Sequence, residues 1–406
     1  MARNPASRVS APRPDRRSTA FLLIFALAYA GGVIGYLPLL TLLLPIKVGT
    51  VAGAGRLDTL TAIVVAGAVA ASVSNIAFGW LSDRSVARGR GRRGWLAGGV
   101  VATAISYAAM ATAATPGELM LAVIAFQVAV NAVLAPLLAI MADEVPDTQK
   151  GMAGGLLAMA CPVASALAAM LMATASLDET ARLAIVPLVM VGCIMPLLLA
   201  KSHTIARIDP TSPMKAVLRR DLALAWSARL LVQVAGSALF VYLFYYLESV
   251  APMQAPGTIA ARMGTVMLVA YTLPLPIAVL VGRFADRSGR TKPLLFAATI
   301  VAAAGLVGMA IANDFASGAI AFCIYTTGAS VFLALHASFA MQLLPTPLHR
   351  GRDLGLLNLT NTLPGLLGPT LTWALATPTD FDVVMLVLAA LTLCGGGIIL
   401  AARGRR

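Results

Sequence analysis

The chain has 406 residues, 59% of them hydrophobic and 12% charged, and its mean hydropathy is +0.86. A soluble domain carries about 25% charged residues, so a large soluble enzyme and a disordered chain are both excluded. The net charge of +13 suggests nucleic acid, but the apolar residues fall in blocks of about 20, the length that crosses a hydrocarbon core of about 30 Å as a helix. In a membrane protein basic residues set orientation, and no nucleic-acid partner is expected.

The chain opens on a basic arm, residues 1–19, with five arginines. Ala28-Tyr29-Ala30 resembles a signal-peptidase site, but the apolar run continues to Leu44, so an uncleaved first helix is expected. Twelve spans follow, near 20–44, 59–81, 95–115, 118–141, 151–175, 183–200, 222–248, 263–282, 293–312, 316–342, 354–376 and 383–402. Of the 30 basic residues, only Lys47, Arg56, Arg182 and Arg262 fall in loops on one side, and Arg229 lies within span 7. The rest share the other side with both termini, which the positive-inside bias makes cytoplasmic. The expected location is a bacterial inner (plasma) membrane.

Gly79-Trp-Leu-Ser-Asp83-Arg84 ends span 2 and runs on to Arg92 and Arg93. Gly282-Arg-Phe-Ala-Asp286-Arg287-Ser-Gly-Arg290 repeats it half a chain later, at the end of span 8. Met141…Gly151 and Met341…Gly351 form a second echo. Two repeated six-span halves are a transporter architecture with a site near the midplane. The expected division is 20–200 and 222–402, joined by a cytoplasmic linker 201–221 and ending in a tail 403–406. The two glycines would let helix ends approach closely, and the aspartates and arginines are expected to form a latch that breaks when the cytoplasmic side opens; a positive loop that only sets topology is the alternative.

The repeated motif resembles the loop 2–3 signature of the major facilitator superfamily. The spaced version Gly79…Asp83-Arg84…Arg92-Arg93 is similar to that of glycoside–pentoside–hexuronide and sucrose carriers, as are Arg229…Gln233, Met141-Ala-Asp143-Glu144-Val-Pro146 and Arg350…Pro364. The resemblance implies an all-α fold of twelve transmembrane helices and transport of a sugar or glycoside by alternating access, with proton symport as one way to drive it. Plant sucrose carriers have an aspartate and an arginine in span 4. Gln127 and Leu138 stand at those places, so proton coupling does not carry over there.

The 17 carboxylates all map to loops or span ends, which removes the usual mid-membrane site for a proton or sodium ion. Gln127 and Asn131 lie one turn apart, suited either to hydroxyl recognition or to an interhelical hydrogen bond. Arg229, with Gln233 one turn on, either snorkels or faces the cavity. His336 is a candidate proton carrier or a packed neutral ring. Asn358, Asn361 and Thr362 complete a possible polar chamber with Arg229 and His336. Among the inward aromatic candidates Tyr29, Phe126, Tyr242, Tyr245, Tyr271 and Tyr325, Tyr29 and Tyr325 are preferred for stacking on a sugar. Pro274, Pro276, Pro364 and Gly365 are candidate bends.

Cys161, Cys193, Cys323 and Cys394 lie inside apolar blocks without metal-ligand spacing. No P-loop, metal cluster or nucleophile–base pair is present, so neither a cofactor nor an enzyme activity is expected. The expected protein is a monomeric carrier of a small solute, a glycoside first, with protons and membrane lipids as further partners. Two rivals stay open. One is an exporter of lipophilic or amphiphilic compounds, which 17 methionines would suit. The other is a non-transporting assembly or sensor protein on the same fold.

Overall fold

The computed structural model describes residues 17–146, 149–174, 176–200, 219–342, 360, 363–377 and 379–402. Linker residues 201–218, the 10–11 loop and the start of span 11 with Asn358, Asn361 and Thr362 lie outside the described residues, as does the side chain of Asp286.

Helix α1 (Thr19–Ile34) starts where the Ser18 hydroxyl accepts from the Phe21 N–H at 3.2 Å. Past Pro38 the chain makes a π-helical turn, Leu39–Leu43, and continues as α2 (Leu44–Ala52). Helix α3 (Arg56–Ala87) returns across the molecule. Left-handed Gly89 and Gly91 (φ 73° and 68°) turn the chain into α4 (Arg93–Thr112). A capping box between Thr115 and Glu118 opens α5 (Pro116–Glu144). Span 5 breaks at Met159 into α6 (Lys150–Ala158) and α7 (Ala160–Ala173), because Pro162 has no N–H to give the carbonyl four residues earlier. Asp178 caps α8 (Glu179–Leu199).

The second half runs α9 (Arg219–Val250), α10 (Pro256–Thr272), α11 (Pro274–Ser288), α12 (Thr291–Ala310), α13 (Phe315–Gln342), α14 (Pro364–Leu375) and α15 (Asp382–Ala401). Span 8 is interrupted at Leu273, ahead of Pro274 and Pro276. Among the described residues ten helical stretches are long and apolar enough to cross a membrane, and one of them, Thr19–Ala87, carries the first two expected spans. The first span runs on to Ala52 rather than ending at Leu44, because Pro45 sits in the first turn of α2 and does not break it.

In the first half α5 packs on α3 and α4, and α8 on α1 and α4. In the second half α12 packs on α13 and α15, and α9 on α13, α14 and α15. Between the halves α7 meets α10, α3 meets α14, and the π turn meets α9. The α7–α10 approach depends on Gly264, where a Cβ would lie 2.5 Å from the Ala169 Cα.

The buried apolar residues form three clusters. The largest takes side chains from both halves, including Leu60, Tyr107, Phe126, Tyr242, Tyr246 and Met263. The other two sit towards the ends that carry the basic loops. One, around Phe25, Leu96, Leu137 and Leu197, belongs to the first half alone, and one, around Ala228, Leu295, Phe332 and Ile399, to the second alone. Among the described residues the halves therefore share an apolar core towards one face and keep separate ones towards the other.

Candidate functional site

A cavity of about 590 Å³ lies between the halves, lined by residues of the π turn, α3, α5, α9, α13 and α14. The π turn has one residue more than an α turn, and its Leu40 joins the lining. Most of the lining is apolar. The polar exceptions are Ser72, Asn75, Gln127 and Asn131 from the first half, and Gln233, Ser237 and Tyr325 from the second. No charged side chain lines it among the described residues.

These polar groups are not equivalent. Asn131 accepts from Asn75 Nδ2 at 3.0 Å and donates to the Gln127 carbonyl oxygen at 2.8 Å, so it ties α3 to α5. Gln233 donates to the Thr360 carbonyl oxygen at 2.6 Å, and the Ser237 hydroxyl donates to the Pro364 carbonyl oxygen. The Gln127 amide has no hydrogen bond among the described residues. It lies over Gly67, where a Cβ would sit 3.3 Å from the Gln127 Cγ. Tyr325 is matched to Gly236 in the same way, its hydroxyl 3.3 Å from that glycine's would-be Cβ. Gln127 and Tyr325 thus offer polar groups from opposite halves that the described protein does not use.

Of the residues expected in the site, Gln127, Asn131, Gln233 and Tyr325 line the cavity, and Tyr29, Arg229 and His336 do not. Tyr29 is half-buried and packs against the shared core. Arg229 is half-buried on α9, within electrostatic reach of His336. The His336 ring is fully buried, stacks on Phe332 at 5.4 Å between centroids and places Nε2 2.8 Å from the Ala225 carbonyl oxygen. Asn75, Ser72, Ser237 and Phe240 line the cavity and were missed. Asn75 carried the same signal as Gln127, an amide inside an apolar run.

At the face opposite the basic loops, several bonds join the halves. Arg56 pairs with Glu248 at 2.7 Å and lies over the Tyr245 ring at 4.7 Å. The Tyr245 hydroxyl donates to the Pro45 carbonyl oxygen at 3.0 Å, Tyr242 bonds Thr61, and Trp373 Nε1 donates to Asp58 at 2.8 Å. Two of the aromatic candidates, Tyr242 and Tyr245, therefore belong to this seal rather than to the cavity wall. At the basic face no hydrogen bond or ion pair joins the halves among the described residues. Among the described residues the halves are bonded at one face and not at the other.

The motif at the end of α3 forms a clasp within the first half. Arg92 Nη1 meets Asp83 at 2.6 Å and Arg92 Nε meets Asp143 at 2.9 Å, with Ser82 also on Nη1 at 2.6 Å. Burial lowers the Arg92 pKa, but these carboxylates outweigh it and hold the guanidinium above its usual range. Arg84 lies over the Trp80 ring. In the echo, Arg287 and Arg290 are exposed. The close approach expected at Gly79 and Gly282 is absent: a Cβ at either would meet no atom within 4 Å. The described neighbours of the α3 end are met by other side chains, Phe78 on Trp95 and Ser82 and Asp83 on Arg92, so the glycine itself faces none of them.

Two pseudo-repeated helical halves around a central cavity, bonded to each other among the described residues at one end of it, define a secondary-transporter architecture. The chain belongs to the Major Facilitator Superfamily, whose profile matches residues 20–346 and 249–406. It is a multi-pass membrane transporter of small solutes. No curated protein matches it. Among solved structures it is similar to the nucleoside transporter NupG, at 14% identity over 96% of this chain and 100% of that one, with a TM-score of 0.71. It is also similar to a mutant form of the peptide transporter POT, at 13% identity over 95% of each chain and a TM-score of 0.73. A bacterial homolog of the human lysosomal transporter Spinster, inward-facing and occupied, matches at 14% over 94% of each, with a TM-score of 0.66. At such identities these likenesses concern the fold.

Proposed function

We propose that the protein moves a small uncharged solute bearing both hydroxyls and an apolar face, a glycoside first, by alternating access between its halves. The observation that carries this reading is the cavity lining, apolar and without charge among the described residues, with the unused Gln127 amide and Tyr325 hydroxyl facing it from opposite halves. A charged solute would lose its hydration there without a counter-ion. A neutral one can exchange water for amide and hydroxyl contacts while its apolar face meets the walls. The glycoside class rests on the sequence resemblance. On the orientation read from the basic loops, the face opposite the bonded one is cytoplasmic.

The test is counterflow in proteoliposomes without an ion gradient, comparing free sugars with glycosides that carry an apolar aglycone. Saturable counterflow of a neutral glycoside supports the reading, and a blank panel with folded protein overturns it. The dominance of apolar lining favours a second reading, export of neutral amphiphiles, which the direction of flux in energised vesicles separates from uptake. For proton coupling the proposed group is His336. Its Nδ1 is buried with no hydrogen-bond partner, so proton uptake there belongs to another state of the cycle. His336→Gln then flattens the pH profile of uptake, and an intact profile removes the role.

A further inference from the structure

The second half carries a lateral groove of about 690 Å³ between α10–α11, α12 and α13. It shares no lining residue with the central cavity. Its walls are apolar and open: Val269, Leu273, Val301, Ile320 and Ile324 are between 42% and 62% exposed. A single charged residue, Arg262, lies among the described lining residues.

Arg262 is held in place. Its guanidinium lies 3.8 Å from the Phe315 ring centroid, and Nη1 donates to Gln254 at 2.8 Å. The nearby carboxylate, Asp314, is engaged elsewhere. It accepts the Ala316 and Ser317 N–H groups at 2.7 and 3.0 Å and the Ser317 hydroxyl at 2.9 Å. The hydrogen bonds from the Ser317 backbone and side chain hold its pKa below the usual range, with a smaller contribution from the Arg262 charge, and no ion pair within 4.0 Å joins it to Arg262 among the described residues. The guanidinium is positioned by an aromatic face and an amide, and its charge is not neutralised by direct contact. A guanidinium keeps five N–H donors in a planar fork suited to phosphate.

The dimensions fit one leaflet. Phe315 opens α13 and Arg262 stands about two turns into α10, both in the helix ends on the face opposite the basic loops. From them the lining runs to Ile277 and Thr327, about 22 and 18 Å along helices rising 1.5 Å per residue. Half of a hydrocarbon core of about 30 Å is about 15 Å. The groove therefore reaches from headgroup level to just past the midplane.

We propose that this groove binds one anionic phospholipid, with an acyl chain along α10 and α13 and the headgroup phosphate on Arg262. Ordinary boundary lipid needs no such cation. The fixed guanidinium at the mouth of an apolar slot selects for charge at the headgroup, and the slot selects for a chain. The site is independent of the transported solute.

Native mass spectrometry of the purified protein titrated with phosphatidylglycerol or phosphatidylcholine of matched chains tests the proposal. One phosphatidylglycerol adduct is expected to survive at collision energies that strip phosphatidylcholine. Arg262→Gln should weaken that adduct several-fold and leave phosphatidylcholine binding unchanged. Ile320→Trp, which fills the slot from an exposed position, should weaken it with Arg262 intact. Equal retention of the two lipids, or an adduct insensitive to both variants in protein of native melting temperature, overturns the proposal. Retention of a single-chain anionic amphiphile in place of the phospholipid also overturns it, by showing a solute site.

Discussion

The Arg56–Glu248 pair bridges the two halves, whereas the other ion pairs of the described residues lie within the first half. Glu248→Gln removes its charge while keeping the side chain's length and one acceptor oxygen. The Glu248 side chain is 12% exposed and that of Arg56 31%, so the pair lies between a buried bridge and a surface one. A hydrogen bond to a charged group contributes about 1.5–3 kcal/mol, and solvent at Arg56 reduces this, which leaves about 1–2 kcal/mol. The contact belongs to the state sealed at this face, so its loss should raise the population of the opposite state about 5- to 30-fold. Spin labels at positions 55 and 253, which flank the seal on either half, report the change as a longer-distance peak in electron–electron resonance. Identical distance distributions in Glu248→Gln and the parent would refute the assignment of this pair to the seal. A double-mutant cycle with Arg56→Gln checks that the effect belongs to the pair.

Gln127 and Asn131 should separate. Gln127→Ala is expected to weaken solute affinity about 2- to 10-fold, the loss of one neutral hydrogen bond, with an unchanged melting temperature. Asn131→Val removes the tie to Asn75 and should cost about 0.6 kcal/mol of stability, at most about 1.7, read by thermal melting in detergent. Gly264→Leu puts a side chain where only 2.5 Å is free beside Ala169; transport should be lost, and normal rates would show that α7 and α10 do not need to meet. Arg92→Gln takes one cation from two carboxylates at once and should lower the turnover rate more than solute affinity in counterflow.

The helices were legible because membrane spans announce themselves: each is an apolar run of bilayer length, and Pro274, read as a bend, stands where span 8 is interrupted. The cavity lining was legible where an amide stands in an apolar run, as with Gln127, Asn131 and Gln233, and at the aromatic Tyr325. Tyr29 and Arg229 show what periodicity omits, since the side of a helix that meets the cavity depends on how the halves tilt. Glu248 and Arg56 were assigned to loops by charge alone. Their pairing joins residues 192 positions apart, which no local pattern encodes. Gly79 and Gly282 were read as close contacts because glycine permits them, but an approach also requires a neighbour facing the glycine, and among the described residues neither has one.

The uncharged lining of the central cavity has an electrical consequence. A unit charge crossing 100 mV exchanges about 2.3 kcal/mol with the membrane potential. A chamber that brings no charge of its own and accepts a neutral solute performs none of that work as it switches sides. In a cycle that carries no proton on His336, voltage leaves both the rate and the final accumulation untouched, and the only force on the solute is its own concentration difference. Clamping proteoliposomes at opposite potentials separates the two cases: superimposable uptake curves for the uncoupled carrier, and diverging curves where a proton on His336 crosses with the solute.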